Sequence, residues 1–310
     1  MRALVLPEFG TAPTLQDLAR PEPEAGEVRV RVHAASINGI DLAVAAGYLA
    51  EMMEHRFPVV LGRDFAGTVD AVGADVNGYA VGDRVFGPVN RPYLGDGSLA
   101  EYVTVPVGAG LAALPPTIDF VEGAALGLAG SASLAAIDGA DLAPGQAVLI
   151  VGATGGVGSH AVQVAARAGA HVIATAHTEA ERAHVTALGA SETVDHTEDV
   201  VAAVRSAHPD GLDAVLHLAG DPSSVLTLVA PGGRFVSTLI GSPDQLPVEK
   251  VTVVAVYASP SPEILERLAA DQAAGATSVT VQRTYPLDDA GQALADFGGG
   301  TLGKLVVVLV

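Results

Sequence analysis

The stretch Ala147 to His177, AVLIVGATGGVGSHAVQVAARAGAHVIATAH, constrains this chain more than any other part of it. Ala147-Val148-Leu149-Ile150-Val151 is an unbroken apolar run, as in a strand buried on both faces. Gly152-Ala153-Thr154-Gly155-Gly156-Val157-Gly158 follows at once. From Ser159 the apolar residues Val162, Ala165 and Ala166 recur at helical spacing, and the pattern stops at Gly169. Val172-Ile173-Ala174 is a second apolar strand. Strand, glycine turn, helix and strand within about thirty residues make a βαβ mononucleotide-binding unit.

Each glycine has its own physical reason. Gly152 leaves the strand in a tight turn, Gly155 and Gly156 admit a pyrophosphate to the backbone, and Gly158 lets the helix pack against the strand. The N–H groups of the helix's first turn face the phosphates, so Thr154, Gly155, Gly156 and Val157 are the phosphate-side candidates. The spacing is GxxGxxG, looser than GxGxxG, and the βαβ context carries the reading. A glycine turn without ligand is the alternative.

With 310 residues, the chain has length for two domains, each with a full core. Hydrophobic residues at 49% against charged residues at 16% exclude disorder and coiled coil. A formal charge of −19 argues against nucleic acid or an anionic membrane as partner. The absence of cysteine excludes disulfides, cysteine-ligated zinc and thiol chemistry. Met1 to Leu6 is too short for a signal segment. Gly123 to Ile137 is interrupted by Gly127, Gly130, Ser131 and Ser133 and reads as a buried helix rather than a membrane span. A cytoplasmic protein is the expectation.

Met1 to about Pro116 reads as β-rich. Arg2–Leu6 is a strand, and Glu27-Val28-Arg29-Val30-Arg31-Val32 alternates with period two, as a half-exposed strand does. Further strands at Thr68–Val72, Asp83–Phe86 and Ser98–Val105 are set off by turn signals such as Gly73-Ala74-Asp75 and Val81-Gly82-Asp83. Leu114-Pro115-Pro116 reads as a hinge. After the βαβ unit, apolar strands at Asp213–His217, Gly233–Ser237 and Thr252–Val256 alternate with helical segments, which implies a parallel sheet covered on both faces. A helix at Glu263–Ala274 precedes a final apolar run, Lys304 to Val310, whose natural partner is the β-rich N-terminal region. The fold class is therefore α/β. A doubly wound Rossmann domain, 121–261, is inserted into a β-rich domain formed by 1–120 and 262–310.

In this order the pieces resemble the medium-chain dehydrogenase/reductase superfamily, most closely its zinc-free quinone oxidoreductases and enone reductases. The resemblance rests on Ala35-Ser36-Ile37-Asn38-Gly39-Ile40-Asp41 and on Pro58-Val59-Val60-Leu61-Gly62-Arg63-Asp64-Phe65-Ala66-Gly67. Val81–Val85, Gly97–Tyr102, the glycine turn, Leu188-Gly189-Ala190 and Leu302-Gly303-Lys304-Leu305 add to it. It implies a GroES-like catalytic domain around the Rossmann domain. Zinc-containing relatives carry Cys-x-x-Asp and Gly-His-Glu where this chain has Asn38-Gly39-Ile40-Asp41 and Gly62-Arg63-Asp64. A carboxamide does not replace a thiolate on zinc, and a guanidinium repels the ion, so no metal is expected.

An NAD site places an acid at the end of the second strand. Here that place reads Ala174-Thr175-Ala176-His177-Thr178, with no acid before Glu179. Ala176, His177, Thr178 and Arg182 are candidates around a 2′-phosphate, and the resemblance adds His196, which falls where related NADP enzymes often have a tyrosine, so NADP(H) is the expected cofactor. Solvated loop histidines are the bland alternative. The resemblance adds Leu218 and Ala219 beside the adenosine half, Thr238, Leu239 and Tyr257 near the nicotinamide, and Gly303-Lys304 as a closing contact.

For chemistry without metal, Asn38 is a candidate amide donor to nicotinamide or substrate, and the resemblance implies Tyr48, which falls where enone and enoyl reductases of the superfamily often have a tyrosine, as a candidate proton donor to an enolate or hydroquinone oxygen. Tyr48 as pocket wall is its alternative. Arg63 either polarises a substrate carbonyl or pairs with Asp41 or Asp64. Met52, Met53, Phe57 and Tyr93 make an apolar rim. The nine histidines give no metal cluster, and no Gly-x-Ser-x-Gly elbow supports a hydrolase. The expected function is NADPH-dependent transfer of hydride to a quinone or an α,β-unsaturated carbonyl compound. A specialised enoyl or polyketide-type reductase and a non-catalytic NADPH sensor are the alternatives. The resemblance also implies a homodimer, with Lys250 to Val256 as the sheet edge.

Overall fold

The computed structural model describes residues 1–309, so the last residue of the expected terminal run, Val310, lies outside the described residues. The chain divides into two compact units, Met1–Leu128 with Pro260–Val310 and Ala129–Ser259. One division falls inside the helix Phe120–Ala140 and not at Leu114-Pro115-Pro116, where Leu114 is buried in the first unit.

The first unit is built on a seven-stranded sheet. Its order runs Ala112–Ala113, Arg84–Pro88, Asp64–Val72, Glu27–Ser36, Lys304–Val308, Val281–Pro286, and Tyr102–Pro106 also pairs with Glu27–Ser36. The two chain ends meet here: Val306 lies opposite Ser36 and Val307 opposite Ala35, antiparallel. Glu27–Ser36 is thus an interior strand, and the expectation that it is half-exposed fails. Glu27 and Arg29 are buried because each is paired, Arg29 to Asp70 at 2.6 Å and Glu27 to Arg91 at 2.7 Å. A second, three-stranded sheet joins Thr14–Asp17, Arg2–Leu6 and Val59–Val60. Leu6, Val30, Ile37, Leu61, Phe65 and Leu99 lie at the centre of the core.

In the second unit six parallel strands run in the order Glu192–Val194, His171–Thr175, Ala147–Val151, Leu212–His217, Val229–Ser237, Thr252–Ala255. Numbered within the unit this is 3-2-1-4-5-6, the doubly wound dinucleotide-binding order. The apolar run Ala147–Val151 serves both faces. Val148 and Ile150 pack with Val162 and Ala165 of the Gly156–Arg167 helix, and Leu149 packs with Ile173, Val215 and Phe235 on the other side.

Phe120–Ala140 is long and apolar enough to cross a membrane, yet 67% of its most apolar window is buried in protein. Ala124, Ala125 and Leu126 are buried in the first unit, and Ala136 and Ala140 join the core of the second.

Candidate active site

The glycine turn is tied down by a hydrogen bond and by close backbone packing. Gly152 has φ +81, and its N–H donates to Thr175 Oγ1 at 2.9 Å, which ties the turn to the second strand. A Cβ on Gly158 would stand 2.1 Å from the carbonyl oxygen of Gly152, so helix and turn touch backbone to backbone. Ser159 Oγ lies 3.0 Å from the carbonyl of Thr154 and 2.9 Å from His184 Nε2, which gives His184 a local role. By helix geometry the first-turn N–H groups of Gly156, Val157 and Gly158 have no intrahelical acceptor, and Gly155 is the N-cap. That is a backbone anion site. Leu218 and Ala219 pack against the turn: Leu218 N donates to Val151 O at 3.1 Å, and a Cβ on Gly152 would stand 2.9 Å from that of Ala219.

At the end of the second strand the structure adds an acid that is not local in sequence. Asp195, which follows Glu192–Val194, lies with both carboxylate oxygens 3.0 Å from His177 Nδ1 and with Oδ2 3.3 Å from Arg182 Nη2. Thr197 donates to it from backbone and hydroxyl, and these bonds, with His177, hold the carboxyl far below the usual range. Strand order brings the end of the neighbouring Glu192–Val194 strand beside that of His171–Thr175. His196 stands edge-on to His177 with ring centroids 6.0 Å apart. Arg182 also donates to the carbonyls of Ala176 and His177. Thr178 Oγ1 accepts from Glu181 N as the cap of the Glu179–Ala187 helix, so that hydroxyl is occupied locally.

Thr238, Leu239 and Tyr257 follow the ends of the fifth and sixth strands. Buried His217 fixes this region, with Nδ1 2.9 Å from Ser237 Oγ and Nε2 3.1 Å from the carbonyl of Gly220. Burial holds the His217 pKa below the ordinary histidine value. Ser237 Oγ accepts from Leu239 N at 3.0 Å, and Thr238 N donates to His217 O. Neither His217 nor Ser237 stood out in the sequence, where both read only as strand residues. Leu239 and Tyr257 are 56% and 61% exposed, and the Tyr257 hydroxyl donates to Gly241 O at 2.6 Å.

In the first unit, Asn38 and Lys304 come together, though in roles other than those expected. Lys304 is 4% exposed and its Nζ donates to Ile37 O at 2.9 Å and Asn38 Oδ1 at 2.5 Å, with Asp64 Oδ2 at 3.9 Å. Asn38 Nδ2 donates to Ser36 O at 3.3 Å and Asp64 Oδ2 at 3.0 Å, so both amide hydrogens are engaged within the chain. Lys304 is therefore an interior cation paired with Asp64 and no exposed closing contact. Asn38 is a bridge between them and no free donor. Gly303, at φ +89, is needed for packing, since a Cβ there would meet Thr280 O at 2.3 Å. Burial pushes the Lys304 ammonium down and the Asp64 carboxyl up, as expected for an ion pair deep in protein.

Asp41 accepts from Asn38 N at 2.8 Å and is fully buried, which raises its pKa to about 7. Its other oxygen has no hydrogen-bond partner among the described residues. Arg63 neighbours it, and Nη1 likewise has no partner, so the expected pairing with Asp41 or Asp64 is not made as a hydrogen bond. Both residues line a cavity of about 10 Å³ with Asp96, Leu61 and Leu94, the size of a single water-sized group. A quinone does not fit there.

Tyr48 follows the Gly39–Ala45 helix and is 79% exposed. Met52 is 69% exposed, and Phe57 packs edge-on to Phe9 at 4.8 Å, so an apolar surface exists around them. Met53 and Tyr93 do not belong to it. Met53 packs on the core, and Tyr93 lies under the Arg56 guanidinium at 3.5 Å with its hydroxyl bonded to Asp96.

The chain matches the alcohol dehydrogenase GroES-like domain over residues 24–116 and the zinc-binding dehydrogenase domain over residues 156–262. It is 31% identical to the quinone oxidoreductase of Sus scrofa over 331 aligned positions, which cover 100% of this chain and 98% of that protein. It is 30% identical to the 2-methylene-furan-3-one reductase of Solanum lycopersicum, over 76% of this chain and 61% of that protein. The structure of the quinone oxidoreductase from Coxiella burnetii superposes with a TM-score of 0.90 at 28% identity, covering 100% of this chain and 99% of that one. The fold and site thus define a nicotinamide-dinucleotide-binding oxidoreductase. The chain belongs to the medium-chain dehydrogenase/reductase superfamily, in its quinone oxidoreductase group.

A zinc ion, which the name of the second matched domain suggests, does not fit the residues present. Where zinc relatives have thiolate and imidazole, this chain has a carboxamide committed to Asp64 and a guanidinium, with the Lys304 ammonium 2.5 Å from Asn38 Oδ1. Two cations at that place oppose a third.

Proposed function

We propose that this protein is an NADPH-dependent, zinc-independent reductase acting on a quinone or on the C=C bond of an α,β-unsaturated carbonyl compound. The observation that carries the cofactor choice is the group of His177, His196 and Arg182 beside the end of the second strand. It offers two imidazoles and a guanidinium to a 2′-phosphate against the single carboxylate of Asp195. The glycine turn supplies backbone N–H groups for the pyrophosphate, and Leu218–Ala219 flanks it.

Bound NADPH supplies hydride from its nicotinamide C4. The chain supplies a proton for the acceptor oxygen, and Tyr48 is the donor we assign: its exposed phenol makes no hydrogen bond among the described residues. Met52 and Phe57 offer apolar surface to a conjugated acceptor. The relatives support both acceptor classes, one named as a quinone oxidoreductase and one as a 2-methylene-furan-3-one reductase. We further infer a homodimer through the Thr252–Ala255 edge strand, which light scattering at several protein concentrations tests.

The deciding experiment is oxidation of NADPH against NADH with 1,4-benzoquinone, a naphthoquinone, an alkenal, a cyclic enone and an enoyl thioester. NADPH-selective turnover of a quinone or enone is expected. Turnover of the thioester alone would favour a specialised enoyl reductase. Tight NADPH binding with no turnover would replace the reductase by a sensor.

A further inference from the structure

One cluster of metal-ligating side chains has no part in the nucleotide or substrate chemistry. His171 opens the His171–Thr175 strand, Glu192 opens the neighbouring Glu192–Val194 strand, and His208 is the C-cap of the Val200–Ala207 helix. The expectation that the histidines form no cluster therefore fails here. Parallel pairing of the two strands, with Ile173 opposite Glu192, brings residues distant in sequence to one place. That place is at the start of the strands, since His171 pairs with Ala147, whereas the glycine turn follows the far end at Val151.

The two imidazoles converge on one carboxylate. His171 Nε2 lies 2.6 Å from Glu192 Oε1 and His208 Nε2 lies 3.3 Å from Oε2. The ligand atoms all lie within 4.8 Å of one another, and the rings are tilted by 53° with centroids 5.8 Å apart, so they flank the carboxylate and do not stack. A tetrahedral ion with bonds of about 2.0–2.2 Å holds its ligands about 3.3 Å apart. The His208 contact already has that spacing. The His171 contact has to open by about 0.7 Å to reach it, which side-chain rotation provides in a residue whose side chain is 39% exposed.

We propose that His171, Glu192 and His208 form a structural binding site for one divalent transition-metal ion of the zinc, cobalt or nickel class, with water in the remaining positions. Two imidazoles and one carboxylate select such ions over magnesium and calcium, which take oxygen ligands. His208 sits at the negative end of its helix, where a cation is favoured. The ion takes the place of the direct His171–Glu192 contact, any displaced proton passing to solvent, and clamps two strands and a helix of the nucleotide-binding unit.

The test is isothermal titration of the chelator-stripped protein with ZnCl₂, and separately with CoCl₂ followed by visible absorption. Wild type is expected to bind one equivalent with a rise in melting temperature and a cobalt spectrum of low coordination number, while MgCl₂ does nothing. His171→Ala, His208→Ala and Glu192→Gln should each weaken binding by at least about tenfold, with NADPH affinity retained as proof of folding. His177→Ala, in the other histidine pair, should leave zinc binding unchanged. The proposal is overturned if wild type takes up no stoichiometric zinc, or if the folded His171→Ala and His208→Ala variants bind it as wild type does.

Discussion

His177 Nδ1 lies 3.0 Å from both carboxylate oxygens of Asp195, so the chain carries a histidine and an acid in direct contact beside the end of the second strand of the parallel sheet. The carboxylate stays ionised, because Thr197 and His177 hold it far below its usual range. With NADPH bound as proposed, it competes with the 2′-phosphate for His177 and Arg182. Asp195→Asn should raise the ratio of kcat/KM for NADPH over NADH by about tenfold, and Arg182→Ala should lower it. An unchanged ratio in both variants would place the 2′ group elsewhere.

Gly158 touches Gly152 without room for one more carbon. A Cβ would stand 2.1 Å from Gly152 O and 2.6 Å from Ala153 Cα, both backbone. Gly158→Ala should cost ~3 kcal/mol and abolish dinucleotide binding in a fluorescence titration. Gly145→Ala is the control: its φ is +86 but its Cβ meets open space, so only ~1 kcal/mol is expected and binding should persist.

Tyr48→Phe removes a phenol that no described residue holds by a hydrogen bond. With Tyr48 as proton donor, kcat should fall by about a hundredfold while the NADPH dissociation constant stays the same. Full activity would assign the proton to solvent or another group.

The parts of this molecule written in local pattern were legible in the sequence. Ala147–Val151 and Arg2–Leu6 form strands at the predicted residues, and the parallel sheet follows from the alternation of apolar strands and helices. Pairing between distant charges was not legible. Glu27 and Arg29 looked solvated because alternation cannot show that Arg91 and Asp70 cover them. Lys304 looked like a cofactor contact because its sequence neighbours say nothing of Asn38, far away in the chain. Asp195 and the His171–Glu192–His208 group escaped for the same reason: strand order, which places them, emerges only when the sheet is assembled.

Lys304 compensates the charge of Asp64 inside the protein. Lys304→Met leaves that carboxylate buried and unpaired, which should cost about 3–5 kcal/mol in denaturant unfolding. Adding Asp64→Asn should recover part of the loss, because no buried charge is left. The NADPH dissociation constant of the double variant should stay near wild type. A large loss of NADPH affinity there would return Lys304 to the cofactor site.

Asp41 sets a pH dependence with a definite sign. Its folded pKa of about 7 stands above the ordinary aspartate value of 3.8 through burial, partly offset by the Asn38 N–H and Lys304. Below pH 4 the carboxyl is protonated in folded and unfolded chains alike, and its contribution is intact. Between about pH 4 and pH 7 the unfolded chain is ionised while the folded carboxyl still holds its proton, so stability falls across this window and levels off above 7. Asp41→Asn removes the slope while its amide oxygen still accepts from Asn38 N. Wild type and variant should melt together near pH 4 and differ by roughly 3 °C or more at pH 8, with the variant higher. Parallel melting curves over the whole range would mean that Asp41 is ionised throughout, held by Arg63 in spite of its burial.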